Sequence, residues 1–116
     1  MTNTDKQSIE ARIDARIHET LDHWIEQLGR LCAQPSISAQ RRGIDECAEL
    51  PATMLREQGY SADILPTGGS PIVFGERAGK SEKTLLFYNH YDVQPPEPLE
   101  LWNSPHITMQ RVGSTR

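Results

Sequence analysis

From residue 5 to residue 33, apolar side chains return every three or four positions: Ile9, Ile13, Ile17, Leu21, Trp24, Leu28 and Leu31. At 3.6 residues per turn they share one stripe, so the spacing predicts a long amphipathic helix. Thr4 or Asp5 can accept from the free N–H groups of its first turn, and Gln7 is placed to complete a capping box on Thr4. From Ile17 to Leu31 the spacing also fits a coiled-coil seam, but over only about two heptads, which favours packing on a sheet.

The polar stretch of residues 34–43 interrupts this pattern, because Pro35 disfavours helical geometry in the residue before it. A second helix is expected over residues 44–58, with Ile44, Cys47, Ala48, Met54 and Leu55 on or near one face. Pro51 lacks an N–H and its ring crowds the preceding turn, so a kink or break is expected near Glu49-Leu50. Gly59 should end the helix in left-handed geometry.

Beyond Gly59 the period shortens. Strands are expected at residues 60–65, 71–75 and 83–89, separated by Gly68-Gly69 and Gly79. The last of them, with Leu85-Leu86-Phe87-Tyr88 and no polar alternation, has the character of a central strand buried on both faces. Pro95, Pro96 and Pro98 then force an extended loop, whose far end Leu101 and Trp102 would anchor. Two helices followed by three strands give an α/β fold, with helices packed on a mainly β-sheet core.

Charge narrows the function. With 16 acidic residues against 12 basic ones and a net charge of −4, the chain has no electrostatic reason to bind nucleic acid. Its longest wholly apolar run, residues 85–88, is far too short for a membrane span, and the charged first ten residues do not read as a secretory signal. A cytoplasmic protein with no membrane partner is expected. Cys32 and Cys47 are not arranged as C-x-x-C and lack a second ligand at metal spacing, so they read as small hydrophobes rather than a disulfide or zinc pair.

Several local patterns lose their chemistry on inspection. Gly75 and Gly79 bracket three residues where a phosphate-binding loop needs four, and a strand rather than a helix is expected after Gly79-Lys80-Ser81. His18 and His23 are five positions apart, about 140° around a helix, and cannot grip one metal together. Pro95-Pro96-Glu97-Pro98 contains a P-x-x-P, but a stiff loop accounts for it.

His90-Tyr91-Asp92 differs because of its place at the end of an apolar strand, where open α/β sheets line their ligand crevice. Residues two apart on a strand point the same way, so His90 and Asp92 should face one region. An imidazole there can bind a divalent metal, while the carboxylate fixes the ring or orients water.

The surrounding string is more specific. Leu85-Leu86-Phe87-Tyr88-Asn89-His90-Tyr91-Asp92-Val93-Gln94-Pro95-Pro96, followed by Leu101-Trp102-Asn103-Ser104-Pro105, closely resembles the first metal-site motif of the M20 metallopeptidases, in particular their dipeptidase-like branch. Residues 31–38 resemble the family's opening segment, and Cys47-Ala48-Glu49 with Met54-Leu55-Arg56 its second helix, so the resemblance runs from about residue 17 to residue 105. Asn89 stands where many members have Gly, and Asn also tolerates left-handed geometry.

The resemblance implies the N-terminal portion of an α/β catalytic domain over residues 1–105, holding two Zn2+ ions bridged by a carboxylate and a water, with Mn2+ or Co2+ as substitutes. It implies that His90 is a ligand of one zinc and that Asp92 is the catalytic acid orienting it. The implied substrates are dipeptides or N-acyl amino acids, and the full-length family form can be a homodimer. The family's bridging Asp, Glu-Glu pair, further acid and late His are not present in this sequence. His106 stands where proline is expected and opens a divergent tail, residues 106–116. The expectation is therefore an incomplete, zinc-peptidase-like domain that is inactive alone, a truncation product of a frameshift or premature stop. The alternatives are a non-catalytic subunit associating through its first helix and exposed strand edges, and a one-histidine metal module of weak affinity.

Overall fold

The computed structural model describes residues 3–109. The Thr4 side chain of the expected capping box and residues 110–116 of the expected tail lie outside the described residues. The chain divides into two units, residues 1–30 and 31–116.

The first unit is nearly all of α1 (Asn3–Ala33), with Asp5 in its first turn and Arg30 in its last, each the favoured sign for the helix dipole at its end. Arg16 pairs with Glu19 at 2.8 Å and Lys6 with Glu10 at 4.0 Å. Such exposed i,i+3 and i,i+4 pairs contribute about 0.2–0.5 kcal/mol each. Ile9, Ile13, Ile17, Leu21, Trp24 and Leu28 form the expected apolar stripe and are 41–53% exposed. His18 turns back onto its own helix, Nδ1 lying 2.8 Å from the Asp14 carbonyl, and His23 meets the Trp24 ring edge-on at 4.9 Å.

The second unit is built around α2 (Ile44–Glu57), which packs on a two-stranded antiparallel sheet of β1 (Ser61–Leu65) and β2 (Ile72–Glu76). Ser61 pairs with Glu76 and Leu65 with Ile72 at the ends of the register. The helix buries Ile44, Cys47, Ala48 and Ala52. Its small residues let it approach the sheet, and Gly75 does the same from β2: a Cβ there would lie 2.8 Å from Leu55 Cδ1. Arg56 ties helix to strand by donating from Nε and Nη2 to the Ala62 carbonyl, at 3.0 and 2.7 Å.

The end of α2 is as expected. Gly59 has φ +80°, its N–H donates to the Arg56 carbonyl, and the Tyr60 N–H reaches the Leu55 carbonyl. These are the paired bonds of a Schellman motif. Of the kink or break expected near Glu49-Leu50, the break does not occur, since α2 runs unbroken through Pro51. Ala48 and Ala52, fully buried on either side of Pro51, hold the helix against the sheet, and this packing outweighs one missing backbone bond.

The expected third strand also differs. Residues 83–89 have no ladder partner among the described residues, and Leu85, Leu86, Phe87 and Tyr88 are 79–89% exposed. A central strand is made by neighbours on both sides, and here β1 and β2 pair only with each other. Two 3-10 turns complete the unit, Ser38–Gln40 and Leu99–Leu101. The Trp102 indole N–H donates to the Pro96 carbonyl at 2.7 Å, tying back the proline loop, whereas Leu101, the other expected anchor, is exposed.

Candidate metal centre

Residues 36–38, expected in the polar stretch after the first helix and at the end of the family-like opening segment, organise the region around His90-Tyr91-Asp92. Ile37, 3% exposed, pairs antiparallel with Arg42 on one side and parallel with Val93 on the other. The Ile37 N–H donates to the Arg42 carbonyl at 2.9 Å, and the Arg42 N–H returns the bond at 3.1 Å. Across the other edge the Val93 N–H donates to the Ser36 carbonyl at 2.9 Å, and the Ser38 N–H to the Val93 carbonyl at 3.3 Å. The chain turns between Ile37 and Arg42 through the 3-10 turn Ser38–Gln40 and Arg41 at φ +50°, and Gly43 at φ +70° then leads it into α2. The polar–apolar–polar alternation of Ser36-Ile37-Ser38 was the available sequence signal for this short strand-like segment.

Two further contacts seat the motif. The Tyr91 hydroxyl donates to the Pro71 carbonyl, just before β2, at 2.6 Å, and the Cys47 thiol lies 3.8 Å from the Tyr91 carbonyl. Burial pushes the Tyr91 phenol up, with smaller contributions from Cys47, Asp45 and Asp92. Burial also pushes the Cys47 thiol up, opposed by a hydrogen bond with Ser36.

His90 and Asp92 do meet, though not across a strand. His90 Nδ1 lies 2.9 Å from the Asp92 carbonyl oxygen and 3.2 Å from Asp92 Oδ1. Both neighbours are acceptors when Asp92 is ionised, so Nδ1 carries a proton, and in the neutral form of the ring Nε2 is the nitrogen with the free lone pair. The hydroxyl of Ser38 is the largest cause holding the Asp92 carboxyl below its usual range; burial opposes it, and His90 adds to it. An ionised Asp92 is thus the form this surrounding favours.

A neutral imidazole with Nδ1 engaged by a carboxylate and Nε2 bare is the arrangement found in histidine metal ligands. The donor set fits a metal in that respect, but only as one ligand. Among the described residues, no group of three or more His, Cys, Asp or Glu side chains could hold a metal ion. The Gly75–Ser81 stretch, where a phosphate loop was considered, has Gly75 inside β2 and no helix after Ser81, in keeping with a polar turn.

Comparison with known proteins gives this geometry a setting. No family model matches the chain. It is 31% identical over 84 residues to a succinyl-diaminopimelate desuccinylase of Bordetella avium, covering 72% of this chain and 21% of that protein. It is 28% identical over 107 residues to a Cys-Gly metallodipeptidase of Schizosaccharomyces pombe, covering 80% of this chain and 22% of the relative. Among solved structures, an M20 family metallo-carboxypeptidase of Sulfolobus solfataricus superposes with a TM-score of 0.69 at 38% identity, over 74% of this chain and 20% of that one. The chain belongs to the M20 metallopeptidase family.

This M20 chain spans about a fifth of the length of those relatives. Their names cover a desuccinylase, a dipeptidase and a carboxypeptidase, and the last two are metalloenzymes by name, so a divalent metal requirement comes with the family. The helices and small antiparallel sheet of the M20 chain fit the α/β class expected from its sequence. Among the described residues no helix is long and apolar enough to cross a membrane.

Proposed function

We propose that this chain supplies the first metal ligand and its orienting acid to a metal-dependent hydrolase of exopeptidase type, acting on dipeptides or N-acyl amino acids. The observation that carries the reading is the His90 ring, whose Nδ1 faces two acceptors on Asp92 while Nε2 is left to a metal. His90 would be the ligand, and Asp92 would fix the ring's tautomer and angle. When bound, a pair of zinc ions supplies a water of lowered pKa and polarises the scissile carbonyl, with Mn2+ or Co2+ able to substitute. The chain's own contribution is orientation: Asp92 fixes the tautomer and angle of the His90 ring, and the Ile37–Val93 bridge fixes where Val93, next to the pair, stands.

Residues 1–105 are read as the N-terminal portion of the catalytic domain and residues 106–116 as a divergent tail. A side observation supports the domain reading. The exposed Leu85, Leu86, Phe87 and Tyr88 have the composition of a strand that needs neighbours on both sides. The finer assignment to dipeptides rests on the metallodipeptidase relative.

Zinc titration of the 116-residue chain, followed through the ring nitrogens of its histidines by NMR, tests the ligand assignment. Weak binding is expected, with His90 Nε2 shifting first and the shift lost in His90→Ala. Zinc that leaves the His90 ring unchanged would overturn the assignment. In parallel, dipeptide and N-succinyl amino acid hydrolysis with zinc, manganese or cobalt should show no turnover by this chain alone. Turnover abolished by His90→Ala would show that the site is complete after all.

A further inference from the structure

Along α1 the side chains of Ile9, Ile13, Ile17, Leu21, Trp24 and Leu28 stay about half exposed, and this helix makes up nearly the whole of one unit. Helices in water owe most of their stability to a packed apolar face. The ion pairs Lys6–Glu10 and Arg16–Glu19, exposed and weak, do not replace one. The stripe therefore needs a cover.

The charges beside the stripe indicate which. At 100° per residue, Arg12 and Arg16 run along one side of it, where with Ile9, Ile13 and Ile17 they line a shallow groove. Glu10 and Asp14 run along the other side. Each row sets like charges four residues apart, which destabilises a helix standing alone. Among the described residues, neither Arg12 nor Asp14 forms an ion pair.

We propose that this stripe docks α1 of a second copy of the chain, with the two helices parallel and in register. The arginine row of each copy then faces the acidic row of the other, at both edges of the seam. Arg12 stands two residues, about 3 Å along the axis, from both Glu10 and Asp14 of the second copy. An antiparallel pair sets each side against itself, so the arginines meet the Thr20 and Gln27 side, which carries no acid. A sheet face makes no use of the two rows. Further along, Ile17, Leu21, Trp24 and Leu28 are spaced by four, three and four, as a coiled-coil seam requires. The seam is short, so the pair forms at micromolar rather than nanomolar concentration. None of this depends on His90 being a metal ligand.

The test uses the full 116-residue chain. Analytical ultracentrifugation over micromolar to millimolar concentrations should show a monomer–dimer equilibrium. In Trp102→Phe, where Trp24 is the one tryptophan left, emission should shift to the blue along the same curve. Arg12→Glu with Arg16→Glu, and separately Glu10→Arg with Asp14→Arg, should each weaken association about tenfold or more, and mixing the two variants should restore it. Should these exchanges melt the helix by circular dichroism, Arg12→Gln with Arg16→Gln removes the attraction without new repulsion and should still weaken the dimer. Cys32, exposed near the end of α1, reports direction: a short bismaleimide should link two copies of the native chain and none of Cys32→Ala. A chain that stays monomeric throughout overturns the proposal. So does a dimer that leaves Trp24 emission and the charge variants unchanged, which would point to the exposed residues 85–88 instead. A dimer that Cys32 cannot link overturns the parallel arrangement.

Discussion

Gly43→Ala should damage this protein far more than its surface position suggests. Gly43 has φ +70°, and left-handed geometry costs a residue with a Cβ about 1–2 kcal/mol. The added Cβ would overlap the Pro35 carbonyl oxygen and come 2.8 Å from its carbon, and both atoms are backbone that cannot rotate away. Relieving such an overlap by a backbone shift costs about 1–3 kcal/mol, for a total of about 2–5 kcal/mol. Gly75→Ala is the control. There the Cβ meets Leu55 Cδ1, also at 2.8 Å, but this is the end of a flexible side chain. A rotamer adjustment of about 0.5–1.5 kcal/mol is offset by the lower chain entropy of alanine in the unfolded state, leaving a change within about 1 kcal/mol. The assay is denaturant-dependent thiol labelling of Cys47, 1% exposed, in a Cys32→Ala background that removes the exposed thiol. Gly43→Ala should lower the extrapolated stability by at least about 2 kcal/mol, which for a unit of this size lowers Tm by about 8 °C or more. A Gly43→Ala protein within about 0.5 kcal/mol of the native one, or a Gly75→Ala protein that is worse, would refute the steric reasoning.

Two further outcomes follow from the contacts beneath the motif. Tyr91→Phe removes the hydroxyl that reaches the Pro71 carbonyl at 2.6 Å and should cost about 0.5–1.5 kcal/mol in the same assay, since only one neutral hydrogen bond is lost. The Cys47 thiol is raised from 9.0 chiefly by burial, so its contribution is intact below pH 9 and is lost as pH rises through the folded value. Urea unfolding between about pH 8 and 10 should therefore show stability falling with pH, with a shallower slope for Cys47→Ala; equal slopes would mean the thiol ionises alike in both states.

How much of this was legible beforehand depends on how local each feature is. The stripe of α1, the apolar face of α2, the Gly59 stop and the two paired strands are written in spacing and in single residues with special backbone freedom. Each therefore emerged at nearly the expected bounds. His90 and Asp92 were also legible as partners, because only Tyr91 separates them, a short reach of chain whatever the backbone does between. Their family context came from a contiguous string, which is local in the same sense.

What the tertiary structure decided are the features that depend on a partner far along the chain. The apolar residues 85–88 have the composition of a buried strand, but a strand is defined by neighbours, and among the described residues it has none. Pro51 looked like a break because local rules count the missing hydrogen bond, whereas the burial of Ala48 and Ala52 on the sheet is a long-range gain that those rules do not see. Ile37 looked like one apolar residue in a polar gap. Only folding reveals it as paired with both Arg42 and Val93, and only that bridge sets Ser38 against the Val93 carbonyl. The sequence determined which atoms could do chemistry. The fold determined where they stand, because the bonds that seat Val93, next to Asp92, cross more than fifty residues of chain.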